Sequence, residues 1–242
     1  MREMPEIDAI VGVGSLCDIA EACQAVMRGE KYSSFRDKET SQLGGDRILT
    51  TESHSAYLKV SEGCDNLCTY CAIPLIRGKH RSRRIEDIVK EAKDLEAMGV
   101  KEINLIAQDT TRYGLDLYGE YSLARLVRRI TEETSIPWIR LLYCYPDKIT
   151  DELLEEYKTN PRLVNYIDLP IQHISDRVLK AMNRHGDGAL IRETVARIRK
   201  AVPDMAIRTT AIVGFPGETE EECAELCQFI KDTKFTHFGA FP

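Results

Sequence analysis

A chain of 242 residues with 43% hydrophobic and 30% charged positions can bury one large core, and its composition is neither disordered nor fibrous. Its 39 acidic residues outnumber its 33 basic ones for a net charge of −6, which argues against a protein that coats nucleic acid through a generally basic surface. No apolar run approaches the roughly 20 residues of a membrane-spanning helix, and MREMPEIDAI lacks a secretory signal's apolar stretch; a cytoplasmic protein is expected, its eight cysteines reduced, buried or metal-bound rather than disulfide-paired.

The chain opens with a strand expected over 7–13 and a helix over 17–27, followed by a polar, turn-rich stretch over 29–55. One strand and one helix cannot bury a core alone. Residues 1–28 therefore read as the remnant of a preceding α/β domain and 29–55 as a linker. From 56 to 242, short β-branched runs alternate with longer amphipathic segments, the pattern of repeated βα units and a parallel sheet. Strands are expected over 57–61, 102–107, 138–143, 166–169, 206–213 and 236–241. Helices are expected over 86–98, 123–133, 150–158, 176–182, 189–201 and 220–232. The fold class is α/β: a partial, three-quarter, six-stranded TIM-like barrel with its active loops at the strand C-terminal ends. Because the sequence stops directly after the sixth strand, a C-terminally truncated barrel is expected.

Directly after the first barrel strand, Gly63-Cys64-Asp65-Asn66-Leu67-Cys68-Thr69-Tyr70-Cys71 places three cysteines with three and then two residues between them. Closely spaced thiolates of this kind wrap one corner of an iron-sulfur cubane. With no fourth cysteine following, one iron is left open to bind and polarise a substrate or cofactor. The alternative is a structural zinc site completed by His80, although zinc sites usually pair two short turns. The run from Arg77 to Arg84 carries five formal positive charges. It reads either as a contact for an acidic or RNA-bearing partner or as a solvated loop.

The cysteine spacing with Tyr70 before the third cysteine resembles the radical S-adenosylmethionine (SAM) signature. The wider text, through INLIAQDTTRYG, YPDKITDELL, YIDLPIQHISDRVLKAMNR and IRTTAIVGFPGETEEE, resembles the methylthiotransferases. Gln108-Asp109-Thr110-Thr111, Tyr145-Pro146-Asp147 and Ile171-Gln172-His173-Ile174-Ser175 resemble the RimO-type branch, which methylthiolates an aspartate of the twelfth small-subunit ribosomal protein. The tRNA-modifying, MiaB-type branch is the alternative, since it shares the cysteine loop and the GFPGE segment. The resemblance implies a 4Fe-4S cluster on Cys64, Cys68 and Cys71, SAM on the open iron, and one-electron cleavage yielding a 5′-deoxyadenosyl radical. It further implies a second cluster in an N-terminal domain of which residues 1–27 match only the end, and a C-terminal β-barrel (TRAM) domain that this sequence lacks. A ribosomal-protein substrate, an electron-donor protein and a monomeric state follow as expectations. The sequence as given is expected to assemble the radical site without completing methylthiolation.

Further cofactor-binding candidates lie at strand ends: Tyr70, Gln108, Asp109, Arg140, Gln172, Ile212 and Gly214, with Ile212 to Gly214 running along the adenine by resemblance. Tyr143 and His173 share such positions, and His173 is also a candidate for proton chemistry. Each of these residues can instead cap a helix or satisfy a loop. Cys17, Cys23, Cys144, Cys223 and Cys227 are assigned to the core as small hydrophobes.

Overall fold

The computed structural model describes residues 4–41, 43–45, 47–50 and 52–242. A small N-terminal unit comes first: β1 (Ala9–Val11), α1 (Ile19–Met27) and β2 (Tyr32–Ser34), with β1 and β2 paired in parallel. The second strand falls in the stretch expected to be linker. Its three residues, Tyr32-Ser33-Ser34, carry no apolar alternation, and only pairing with β1 makes a strand of them.

The larger unit begins with β3 (Ser55–Lys59), the short hairpin β4 (Ser61–Glu62) and β5 (Arg81–Ser82), and between them α2 (Ile73–Arg77). It continues through α3 (Ile85–Ala97), β6 (Glu102–Ile106), α4 (Leu115–Tyr118), α5 (Leu123–Glu133), β7 (Trp138–Leu141) and α6 (Asp151–Thr159). It closes with β8 (Leu163–Asp168), α7 (Asp176–Ala181), α8 (Gly188–Ala201), β9 (Ala206–Ile212), α9 (Glu220–Thr233) and β10 (His237–Phe241). The main sheet has the order β10-β9-β8-β7-β6-β3, every neighbour parallel and no pairing between β3 and β10. It is the open six-stranded barrel expected from the alternation.

The two faces of the sheet have opposite chemistry because strand residues alternate. Ala56 and Leu58, Ile103 and Leu105, Ile139 and Leu141, and Ile207 and Ala211 are buried on one face. Against them pack the apolar stripes of the helices, such as Ile85, Ile88, Val89, Ala92 and Leu95 of α3 and Leu123, Leu126, Val127 and Ile130 of α5. Each fully buried side chain of this size contributes about 1.5–3 kcal/mol. The opposite face carries Lys59, Asn104, Arg140, Asp168 and Arg208, and its groups pair with one another: Asn104 Nδ2 donates to Ser55 Oγ at 3.1 Å and Arg140 Nε to Glu102 Oε1 at 2.6 Å. A polar inner face leaves room for ligands that a closed apolar core would exclude.

Of the cysteines assigned to the core, only Cys144 is buried there. Cys17, Cys23 and Cys227 are exposed and Cys223 is half-buried. In α1 the small two-stranded sheet offers little surface to pack against, and in α9 the buried side is taken by Leu226, Phe229 and Thr233. Among the described residues no helix is long and apolar enough to cross a membrane.

Candidate active site

The cysteine loop leaves β4 through Gly63, whose φ of +78° and position 2.0 Å from the Lys79 carbonyl oxygen, measured from a would-be Cβ, require glycine. The Cys64 amide then donates to the Gly78 carbonyl at 3.2 Å, and the Cys71 amide to the Cys68 carbonyl at 3.0 Å, closing a turn. From the far side the loop is tied to the end of α7: Thr69 N donates to Met182 O at 3.0 Å, and Asn183 Nδ2 to Leu67 O at 2.9 Å. Leu67 and Asn183, the two residues in that contact, both take positive φ without being glycine. Tyr143 and Gln172, at the ends of β7 and β8, do the same. Such conformations persist only where surrounding structure over-determines them, and they concentrate at functional sites.

Beneath the loop lies Asp109, fully buried. Its Oδ2 accepts from Asn66 Nδ2 at 2.8 Å and its Oδ1 from the Thr111 hydroxyl at 2.6 Å. The buried Lys148 Nζ approaches Asp109 at 3.4 Å, Asn66 Oδ1 at 3.3 Å and Asp147 at 3.1 Å. Thr111 Oγ1 in turn accepts the Tyr145 amide at 3.0 Å, and the Tyr145 hydroxyl stands 2.9 Å from Cys68 Sγ.

Cys64, Cys68 and Cys71 all open onto one cavity of about 620 Å³, on the polar face of the sheet at the strand C-terminal ends. Tyr70, Gln108 and Gln172 line it too, as do Lys59, Arg77, Arg184 and Arg208, with Ile73, Ala107 and Phe241 supplying apolar wall. Burial pushes the Cys64 thiol up, with the Asp109 charge and the neighbouring thiols adding to it. Burial likewise pushes up the phenols of Tyr70 and Tyr145, so both hydroxyls stay protonated. Glu62 is also raised by burial, but hydrogen bonds from Lys59 and Arg77 outweigh this and hold its carboxyl below the usual range. The Gln108 side-chain oxygen is buried beside this cavity with no hydrogen-bond partner. An acceptor in that state awaits a donor from whatever fills the space.

The family model for the radical SAM superfamily matches residues 58–230. The chain belongs to the radical SAM superfamily. Among curated relatives, the ribosomal protein uS12 methylthiotransferase RimO of Clostridium tetani is 52% identical over 239 residues, covering 98% of this chain and 54% of its own length. That of Thermoanaerobacter sp. is 48% identical over 242 residues, covering 100% and 55%. The chain thus spans about half the length of the curated relatives it matches. Among solved structures, the radical SAM methyltransferase TsrM from Kitasatospora setae, with cobalamin and a 4Fe-4S cluster, aligns at a TM-score of 0.62 and 19% identity over 76% of this chain and 36% of that one. Coproporphyrinogen III oxidase HemN from Escherichia coli aligns at 0.54 and 16% over 77% and 43%. At these identities the likeness is one of fold, and it agrees with the partial barrel.

Within this radical SAM core, several expected site residues are placed elsewhere. Asp109 does not line the cavity; both its oxygens are engaged beneath the cysteine loop, which makes it a support. Arg140 is held by Glu102 and lies over the Tyr166 ring at 4.8 Å, outside the cavity lining. Ile212 and Gly214 also lie outside the lining, which Thr210 enters instead; the Ile212 amide donates to Gln172 O at 2.8 Å. His173 accepts the Ser175 amide on Nδ1 at 3.0 Å, so its Nε2 carries the proton and donates to Glu218 at 3.1 Å. Both are buried, and the pair ties the glycine turn 214–218 to the end of β8.

Three of the five charges of the basic run are engaged within the fold. Arg77 pairs with Glu62 at 2.9 Å, Arg83 with Glu91 at 2.7 Å, and Arg81 donates to the carbonyls of Lys38, Glu39 and Ser41. Of its arginines only Arg84 is well exposed. These contacts tie the run and the preceding segment to the barrel, while Lys79 and Arg84 stay exposed.

The three cysteines fit a cluster: soft thiolate donors on a short loop beside a cavity with an unsatisfied acceptor. Among the described residues no three His, Cys, Asp or Glu side chains converge enough to hold a single metal ion, and His80 Nε2 is turned toward Ser82 and Asp116. Asn66, Thr111, Lys148, Arg184 and Arg208 lie within the strings quoted above, but nothing local marks them as site residues.

Proposed function

We propose that this chain is the radical core of a RimO-type methylthiotransferase, with a 4Fe-4S cluster on Cys64, Cys68 and Cys71, SAM beside it in the cavity, and the β-carbon of an aspartate in ribosomal protein uS12 as the target. The observation that carries this reading is the opening of all three cysteines onto one cavity at the strand C-terminal ends, in a chain about half identical, along its length, to proteins of that name. The bound cluster would supply one-electron cleavage of SAM and so a carbon radical able to take hydrogen from an unactivated carbon. The chain's own residues do the positioning. Gly63, Asn66 and Asp109 hold the thiols toward the cavity. The buried Gln108 oxygen offers an acceptor to an ammonium or amino group of the cofactor. Arg184 and Arg208 place positive charge where the carboxylates of SAM and of an aspartyl substrate must be accommodated, while Lys59 and Arg77 are taken up by Glu62. Ile73, Ala107 and Phe241 keep part of the wall apolar and limit water where a radical must not be quenched.

The test is anaerobic reconstitution with iron and sulfide, followed by electron paramagnetic resonance of the reduced protein with and without SAM. A 4Fe-4S signal that changes on adding SAM supports the reading; zinc without iron, or a signal indifferent to SAM, removes it. Mass spectrometry then separates substrates: a methylthio mass gain on uS12 supports the assignment, whereas a gain on tRNA alone transfers it to the MiaB-type branch.

A further inference from the structure

The cysteine loop and the turn after β7 meet at one atom. The Tyr145 hydroxyl lies 2.9 Å from Cys68 Sγ, a sulfur that Tyr70 and Arg184 also reach, and among the described residues neither Cys64 nor Cys71 has such a side-chain partner. Tyr145 is only 7% exposed. The Arg184 guanidinium sits 3.9 Å from the centre of its ring and Lys148 Nζ 4.5 Å from it. Cations against a phenol ring draw electron density from it and strengthen its O–H as a donor. The Tyr145 amide is fixed by Thr111, Thr111 by one oxygen of Asp109, and the other oxygen of Asp109 holds Asn66, two residues before Cys68. One buried carboxylate thus locks both sides of the Tyr145–Cys68 contact. A thiolate bound to iron carries no proton, so in the loaded protein the hydrogen bond runs from the phenol to the sulfur.

We propose that Tyr145 is a positioning residue that donates a hydrogen bond to the Cys68 thiolate of the bound cluster, raising its reduction potential and making the Cys68-bound iron electronically distinct from the other two. Hydrogen bonds to cluster sulfurs stabilise the more negatively charged, reduced form, and groups behind the ligands tune a site as much as the ligands do. The inference rests on the reading that Cys64, Cys68 and Cys71 hold a cluster.

The experiment is a redox titration of the reconstituted protein followed by electron paramagnetic resonance, comparing wild type with Tyr145→Phe. That substitution keeps the ring and its cation contacts and deletes only the hydroxyl. The expected result is unchanged iron and sulfide content, a potential shifted to more negative values and altered g-values of the reduced cluster. An unchanged potential in a fully loaded Tyr145→Phe protein overturns the inference while leaving the cluster assignment intact; absence of a cluster in wild type overturns the assignment itself. Should Tyr145→Phe take up no iron, Thr111→Val decides, because it frees Tyr145 without touching ring or thiol. A smaller shift in the same direction sustains the inference and an unchanged potential refutes it.

Discussion

The cysteine loop, residues 63–71, and the basic segment, residues 77–84, lie close in sequence and both rest on carboxylates, yet they differ in what they leave available to ligands. In the loop, Asp109 binds Asn66, which stands between Cys64 and Cys68, and leaves all three thiols facing the cavity. In the segment, Glu62 and Glu91 bind Arg77 and Arg83 themselves, and backbone carbonyls take Arg81. A reactive group stays reactive when the structure anchors what flanks it. A charged group becomes a strut when the structure anchors the group itself.

That contrast can be broken most severely at the thiols. Cys68→Ala should abolish both the brown absorption of the reconstituted protein and its cleavage of SAM; cleavage at the wild-type rate would show that the loop's thiols are not the ligands. Next in size is the loop's anchor. Asp109→Ala leaves the buried Asn66 amide and Thr111 hydroxyl without their acceptor, while Lys148 keeps Asp147, and should destabilise the protein by about 1–3 kcal/mol in urea denaturation. Wild-type stability would remove Asp109 from that role. Gly63→Ala should cost about 1–3 kcal/mol for its positive φ, with more from the clash with the Lys79 carbonyl, read as a lower Tm.

Smaller effects test the segment. The Glu62 carboxyl is held below its ordinary value of 4.5, so its contribution to stability is present above that pH and is lost as pH falls through the depressed value. Acid denaturation should therefore be shallower for Glu62→Gln; parallel profiles would mean that Lys59 and Arg77 do not stabilise the ionised form. Arg84, exposed and only loosely paired with Glu86 at 3.5 Å, should tolerate replacement by alanine within about 0.5 kcal/mol. A larger loss would show that the segment's outer face also fastens the barrel.

The βα alternation was legible because apolar spacing reports the face an element buries, and observed elements follow the expected ones within a few residues, as with Glu220–Thr233 against 220–232. The short pieces were not: β2, the β4–β5 hairpin and α4 are two to four residues long and owe their form to partners distant in sequence. At the site, cysteine identity and spacing carried the chemistry. Asp109, Arg140 and His173 were read as facing a ligand because they stand at strand ends, but a strand-end position leaves open whether a side chain turns into the cavity or under a loop.

By itself, then, the sequence determined the parallel α/β barrel and the cysteine trio, since hydrophobic periodicity and ligand spacing are local properties of the chain. Only the tertiary structure decided which polar residues stay available. Tyr145 reaches Cys68 from 77 residues away and Asn66 reaches Asp109 across 43, and the energy of a buried polar group depends on partners that only folding brings within hydrogen-bond range.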